Sequence, residues 1–333
     1  MRTAPGAPSL LLPDGDRALL ELLRLLKAEN YHFVTPTPAT HARVLARPGR
    51  GQARDLRDIF GWSLPFEPSL LSPALADCLR ASGMLAEEGG RFRSKVRVSS
   101  LQDDLYLHSA YPTEAEDAVF FGPDSYRFAD LITRELAPDA GPIRIADLGS
   151  GAGVGAIVAA KLCRDAIVLA TDINLKALRL ARINAAAAGA TIQTMEGPGL
   201  DPVEGQLDVV MLNPPYILDE AGRAYRDGGG MHGGEVSLDL TVEAMDRLEP
   251  GGRIILYTGS AIVDGEDPLA TALRREADKR SFQLYYREID PDVFGEELAR
   301  PHYRDVERIA LVGAILRKPT RAGEAPSAAP ASP

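Results

Sequence analysis

The chain is poor in cysteine, histidine and tryptophan: its 333 residues hold two, five and one of them. Cys78 and Cys163 are far apart and stand at no metal-ligand spacing. Neither a disulfide framework nor a zinc site is therefore expected, and a reducing, cytoplasmic setting is the default. His32, His41, His108 and His302 show no ligand spacing either, so no metal is expected. Long apolar runs are missing as well. No stretch approaches the ~20 residues that cross a bilayer. Met1 to Ser9 has no apolar signal region, and the leucines that follow are broken by Pro13, Asp14 and Asp16. A secretory leader and a membrane partner are thus not expected. Cations are in the minority, with a net charge of −10. The deficit is uneven: residues 1–40 are neutral, 41–100 carry +4 and 101–333 carry −14. The acidic part argues against a broad nucleic-acid surface there, whereas the basic stretch leaves one open.

The remaining composition, 45% hydrophobic and 25% charged, is that of a globular chain with ample core. Residues 1–15 read as a flexible leader. Leucines at helical spacing predict a helix over Arg17 to Lys27. Ser72 to Ala81 reads as another, with Ser72 as N-cap, Pro73 at the first position and Gly83 as the stop. Gly89-Gly90 then turns into the alternating stretch Arg91 to Val98, a hairpin. Helices followed by a hairpin resemble a winged-helix module, so residues 16–110 are expected to form an N-terminal recognition domain. From about Asp124 the pattern changes. Helices are expected over Ser125–Leu136, Gly153–Cys163, Leu175–Ala188, Val236–Leu248 and Asp267–Arg280. Strands are expected over Ile143–Leu148, Ile167–Asp172, Thr191–Glu196, Leu207–Asn213, Arg253–Thr258, Gln283–Ile289 and Arg308–Leu316. Alternating strands and helices imply an α/β fold, a Rossmann-like sheet covered on both faces, over residues 111–318. Residues 319–333 are rich in Ala, Pro and Ser and read as a disordered tail.

Asp147-Leu148-Gly149-Ser150-Gly151-Ala152-Gly153 follows one such strand and opens a helix. Glycines let backbone approach a ligand closely, and a helix start presents free N–H groups. Asp172 ends the next strand, where a carboxylate can take both hydroxyls of a ribose. Nicotinamide-binding folds share this layout, with an acid about 20 residues on. Asp147 separates the two cofactors: an anion just before the glycines repels a pyrophosphate and suits the cationic sulfonium and α-amino group of S-adenosylmethionine.

Leu207 to Leu212 is an apolar strand that runs into Asn213-Pro214-Pro215-Tyr216. Two prolines fix the backbone and remove two N–H donors. The Pro214 carbonyl and the Asn213 side-chain oxygen are then free acceptors for the two N–H bonds of an amide or exocyclic amine. Holding those hydrogens returns lone-pair density to the conjugated nitrogen and aims it at a methyl donor. Tyr216 is expected to stack on the planar group.

From about Phe121 to Gly259 the chain resembles the class I S-adenosylmethionine-dependent methyltransferases of the "methyltransferase small" type. The resemblance lies with the Asn-Pro-Pro-Tyr subgroup, which includes release-factor glutamine N5-methyltransferases and adenine amino-methyltransferases. Tyr225, Gly229-Gly230, Gly233-Gly234 and Leu248-Glu249-Pro250-Gly251-Gly252 are more similar to the glutamine enzymes. The resemblance implies a seven-stranded sheet and S-adenosylmethionine as cofactor. It implies cofactor contacts from Phe121, Asp147, Gly149, Gly151, Gly153, Asp172, Ile173 and Asn213, and an acceptor site at Asn213, Pro214, Pro215 and Tyr216. Where the family has Gly-Asp after the third strand, this chain has Gly197-Pro198. The expected activity is methyl transfer to a planar nitrogen, a protein glutamine first. The alternatives are an RNA or DNA adenine amine, gripped by the basic N-terminal domain, and a small molecule. The run Asp227 to Gly234 reads as a long flexible loop, with His232 exposed on it or serving in a lid.

Overall fold

The computed structural model describes residues 12–138, 141, 143–219 and 226–320. The chain divides into two compact units. One contains residues up to Val34 together with Pro38–Tyr111; the other contains Thr35–Thr37 and continues from Pro112.

In the first unit, helix α1 (Asp14–Ala28) buries Leu19, Leu22, Leu23 and Leu26, one stripe at helical spacing. It starts three residues before Arg17, because Asp14 and Asp16 in its first turn favour the positive end of the helix dipole. The expected leader thus reaches into α1, and its residues 1–11 lie outside the described ones. Two short helices had no clear sequence signal, α2 (Pro38–Leu45) and α3 (Leu56–Phe60). In α4 (Pro73–Ala81) the Ser72 side chain accepts from the Leu75 amide, and Gly83 turns the chain with a φ of +71°. Strands β1 (Leu85–Glu88) and β2 (Arg91–Ser94) form the expected hairpin. The alternating stretch breaks at Lys95, and β3 (Val96–Leu101) pairs with β4 (Asp104–Ser109) in a second hairpin.

The second unit opens with α5 (Pro123–Glu135) and continues as β5 (Arg144–Leu148), α6 (Val154–Leu162), β6 (Ile167–Asp172), α7 (Leu175–Ala188), β7 (Gln193–Glu196) and β8 (Leu207–Leu212). A short turn, α8 (Gly230–Gly233), leads into α9 (Glu235–Arg247), β9 (Leu248–Val263), α10 (Pro268–Lys279), β10 (Gln283–Val293) and β11 (Val306–Arg317). Seven strands make one sheet in the order β10-β11-β9-β8-β5-β6-β7. β5 to β9 run parallel, and β11 is antiparallel to both its neighbours. The fold is the expected Rossmann-like α/β sheet. β9 runs well beyond Arg253–Thr258 at both ends: β11 pairs with it from Arg253 to Val263, and Leu248 pairs with Leu207 of β8. The apolar core lies under α9 and α10, where Leu207, Leu212, Leu248, Ile254 and Leu273 are fully buried.

Strand order reverses at β5: β6 and β7 lie to one side, β8 and β9 to the other. Such a reversal opens a crevice at the carboxyl ends of the strands, where open α/β sheets bind ligands. The register brings the chemistry to that edge. Leu148 of β5 lies opposite Thr171 on one side and Leu212 on the other. The residues that leave the sheet next are the glycine loop, Asp172 and Asn213.

Candidate active site

Asp147 is 1% exposed, and its Oδ2 accepts the Ala156 amide in the first turn of α6 at 2.8 Å. Burial pushes its pKa up to about 7 against that bond and one with Ser150, and the nearby Asp172 charge adds to the rise. Gly149 and Gly151 have φ of +63° and +53°, the left-handed region that side chains disfavour. A Cβ on Gly149 would point into open space, so the loop presents bare backbone to the crevice. Gly153 does something else. It packs on Ala181 of α7, where a Cβ would come within 2.9 Å. Asp172 accepts the Gly151 amide at Oδ2 and the Asn174 amide at Oδ1, both at 2.8 Å. Burial raises its pKa, and these bonds work against the rise. A carboxylate has about four lone-pair sites, so acceptor capacity is left over.

Asn213 to Tyr216 leave β8 at the same edge. Among the described residues nothing engages the Asn213 side-chain amide. Tyr216 is 8% exposed and lies against Gly259 of β9, where a Cβ would come within 2.2 Å of its ring. Its other neighbour is Phe294, edge-on at 5.8 Å. The Tyr216 hydroxyl is buried beside the Asp124 carboxylate without a well-aligned hydrogen bond. Tyr257 does donate to Asp124 Oδ1, at 2.9 Å. Burial raises the Asp124 pKa, while the two phenols and Arg127 work against the rise.

The glycine run after the motif is packed. The Gly228 amide donates to the Ile217 carbonyl at 2.8 Å. A Cβ on Gly233 would lie 2.4 Å from the Tyr216 carbonyl oxygen. The glycines let this segment fold down onto the acceptor motif, which corrects the reading of a loose loop. His232 is not a lone exposed residue: its Nε2 is 3.3 Å from Asp305 Oδ1. Tyr225 lies outside the described residues.

These segments enclose one cleft of about 850 Å³. Its far wall is Glu116–Phe120, tied down where Asn174 donates to the Asp117 carbonyl at 2.9 Å and Lys176 to the Asp117 carboxylate at 3.3 Å. Glu196 to Gly199 line it at the end of β7.

A family model described as the methyltransferase small domain matches residues 129–262. A release factor glutamine methyltransferase of Deinococcus radiodurans is 31% identical over 211 residues, 62% of this chain and 74% of that protein. The chain belongs to the methyltransferase small domain family. It is an S-adenosylmethionine-dependent methyltransferase. A tRNA1(Val) (adenine(37)-N6)-methyltransferase of Aeromonas salmonicida is 34% identical over 135 residues, 38% of this chain and 56% of its own length. The chain spans about half the length of that relative and of the glutamine enzyme of Neisseria gonorrhoeae, 54%. A solved methyltransferase from Pyrococcus furiosus is similar at 20% identity, over 61% of this chain and 89% of that one, with a TM-score of 0.43.

The cleft of this methyltransferase suits S-adenosylmethionine on its own chemistry. It offers buried carboxylates at Asp147 and Asp172, bare glycine backbone between them, and exposed apolar side chains for a flat base. Ile173 and Leu175 line the cleft and are 57% and 60% exposed. Of the adjacent phenylalanines, Phe120 lines the cleft and lies on Gly122, while Phe121 is buried edge-on to Tyr126 at 5.3 Å. Neighbours in an extended segment point to opposite sides, so the pair was ambiguous in sequence. Phe120 and Phe294 carried no sequence signal as site residues, whereas Asp124 lies in the segment Phe121 to Ser125 that resembles the family's upstream cofactor-packing segment. Phe294 sits in the left-handed region, at a φ of +55°.

Proposed function

We propose that this methyltransferase acts on a planar nitrogen, with the side-chain amide of a protein glutamine as acceptor. The observation that carries the reading is the placement of Asn213-Pro214-Pro215 on the cleft, beside the glycine loop, with the Asn213 amide unengaged. The amide oxygen of Asn213 and the carbonyl of Pro214 accept the two N–H hydrogens of the acceptor and fix its orientation. Asp147 balances the cationic methionine end, Asp172 takes the ribose hydroxyls, and Phe120 with Ile173 covers the base. S-adenosylmethionine, when bound, supplies an electrophilic methyl group. No strong base is needed at Asn213, because orientation and the return of lone-pair density do the work. The glutamine reading draws on the named glutamine enzymes among the relatives.

Two observations favour a second acceptor, the exocyclic amine of an RNA adenine: the tRNA adenine relative and the basic charge of residues 41–100. In this second reading the first structural unit, a winged-helix-like module, recognises the RNA substrate. Labelled methyl transfer into a cell lysate separates the two. Label removed by protease supports glutamine, and label removed by nuclease supports adenine. Asn213→Ala is expected to abolish transfer, a loss of at least about a hundredfold for a residue that orients the reacting group. Calorimetry should find cofactor affinity nearly unchanged. Undiminished turnover would remove Asn213 from the acceptor site.

A further inference from the structure

Arg43, Arg47, Arg50, Arg54 and Arg57 fall within 15 consecutive residues of the first unit. They follow the end of α2 through a hydrogen-bonded turn, with the Arg50 amide 3.2 Å from the Arg47 carbonyl, and run into α3. One acid lies within the stretch, Asp55, and another just after it, Asp58, and both are already engaged. Asp58 is buried and takes Arg50 at 3.1 Å and Arg54 at 3.2 Å. Asp55 caps α3, accepting the Asp58 amide at 2.8 Å. Arg43, Arg47 and Arg57 are exposed, and none is paired with a carboxylate among the described residues. Elsewhere on this unit surface arginines are neutralised: Arg24 by Glu21 at 3.6 Å, Arg80 by Asp77 at 2.9 Å, Arg91 by Glu67 at 3.9 Å. Arg43, Arg47 and Arg57 thus place three guanidinium groups without a carboxylate partner close together in the sequence of this unit. Beside it, the Arg50 guanidinium lies 5.7 Å from the half-buried ring of Trp62.

We propose that this arginine stretch binds RNA through its phosphates. Guanidinium forks match phosphate oxygens two at a time, and the stretch contains no lysine. A polyanion is repelled by the acidic remainder of the chain and attracted where exposed guanidinium groups cluster without carboxylate partners. The inference rests on the first unit alone and holds whichever nitrogen receives the methyl group.

The test uses the full chain with labelled total tRNA as probe, followed by fluorescence anisotropy from about 50 to 200 mM salt, where phosphate contacts weaken steeply. Arg43→Glu, Arg47→Glu and Arg57→Glu are combined, while Arg50 and Arg54 are kept so that Asp58 stays paired. The expected result is at least a tenfold loss of affinity, with a salt slope shallower by roughly one for each arginine removed. Circular dichroism and a thermal unfolding curve that match the parent's show that the fold of the variant persists. If the triple charge reversal fails to fold, the three Arg→Gln changes read the same slope. Three results overturn the proposal: no RNA binding by the parent, equal binding by the folded variants, or displacement of RNA by polyglutamate of equal charge, which marks a surface for acidic protein.

Discussion

Asp147 keeps its carboxylate on the Ala156 amide, almost out of reach of water, and burial holds its pKa at about 7. The folded value lies above the unfolded one. The stability this group contributes is therefore fully present below the unfolded value of 3.8 and is lost as pH rises through about 7. In its proposed role the carboxylate must be ionised to balance a cation. Cofactor affinity is then expected to rise about tenfold per unit of pH up to 7 and to level off above it. Calorimetry across that range checks this, and Asp147→Asn should bind weakly with no such slope. A flat profile for the unmodified protein would show that Asp147 does not balance the cofactor's charge.

At the scale of elements, β9 and the segment around α8 hold the acceptor motif from two sides, and glycine is what permits both approaches. Gly259→Ala would place a methyl group 2.2 Å from the Tyr216 ring. Overpacking of this kind costs about 1–3 kcal/mol. Thermal unfolding should register that loss, and methyl transfer should fall further than cofactor affinity, because Tyr216 must move while the glycine loop need not. Equal losses in both would separate Tyr216 from the acceptor site. β9 was only partly legible in sequence. Its apolar run Arg253 to Thr258 was clear, but Gly251-Gly252 and Gly259 read as breaks. They are tolerated because Gly251 and Gly252 hydrogen-bond with Lys318 just past β11, and Tyr216 fills the space over Gly259.

For the molecule as a whole, the two units should respond differently to acid. His41 in the first unit is buried against Tyr111, at a ring separation of 3.9 Å, and burial with the Arg97 charge pulls its pKa down to about 4. His108, 2.7 Å from Ser99 Oγ, is lowered for the same two reasons. A histidine lowered by folding contributes stability that is present above its ordinary 6.5 and is lost as pH falls towards the folded value. The unfolding temperature is therefore expected to drop as pH goes from 6.5 towards 4, and His41→Phe should flatten the drop. An unchanged pH profile in that variant would exclude His41 as a source of acid sensitivity.

The sequence by itself determined the α/β class, the positions of the parallel strands and the motifs at their ends. These are local matters: apolar runs of strand length, helix stops at glycine, and prolines that forbid a continued strand. It also located Asp147, Asp172 and Asn213, because each follows a strand that could be read alone. Tertiary structure decided what depends on the approach of distant segments. Phe120 rather than Phe121 lines the cleft, Gly153 packs a helix pair, Phe294 arrives from beyond β10, and His232 meets Asp305. Asn213-Pro214-Pro215-Tyr216 shows both contributions. The local sequence places its acceptor groups after β8, and long-range packing on Gly259, Gly233 and Asp124 sets where Tyr216 lies.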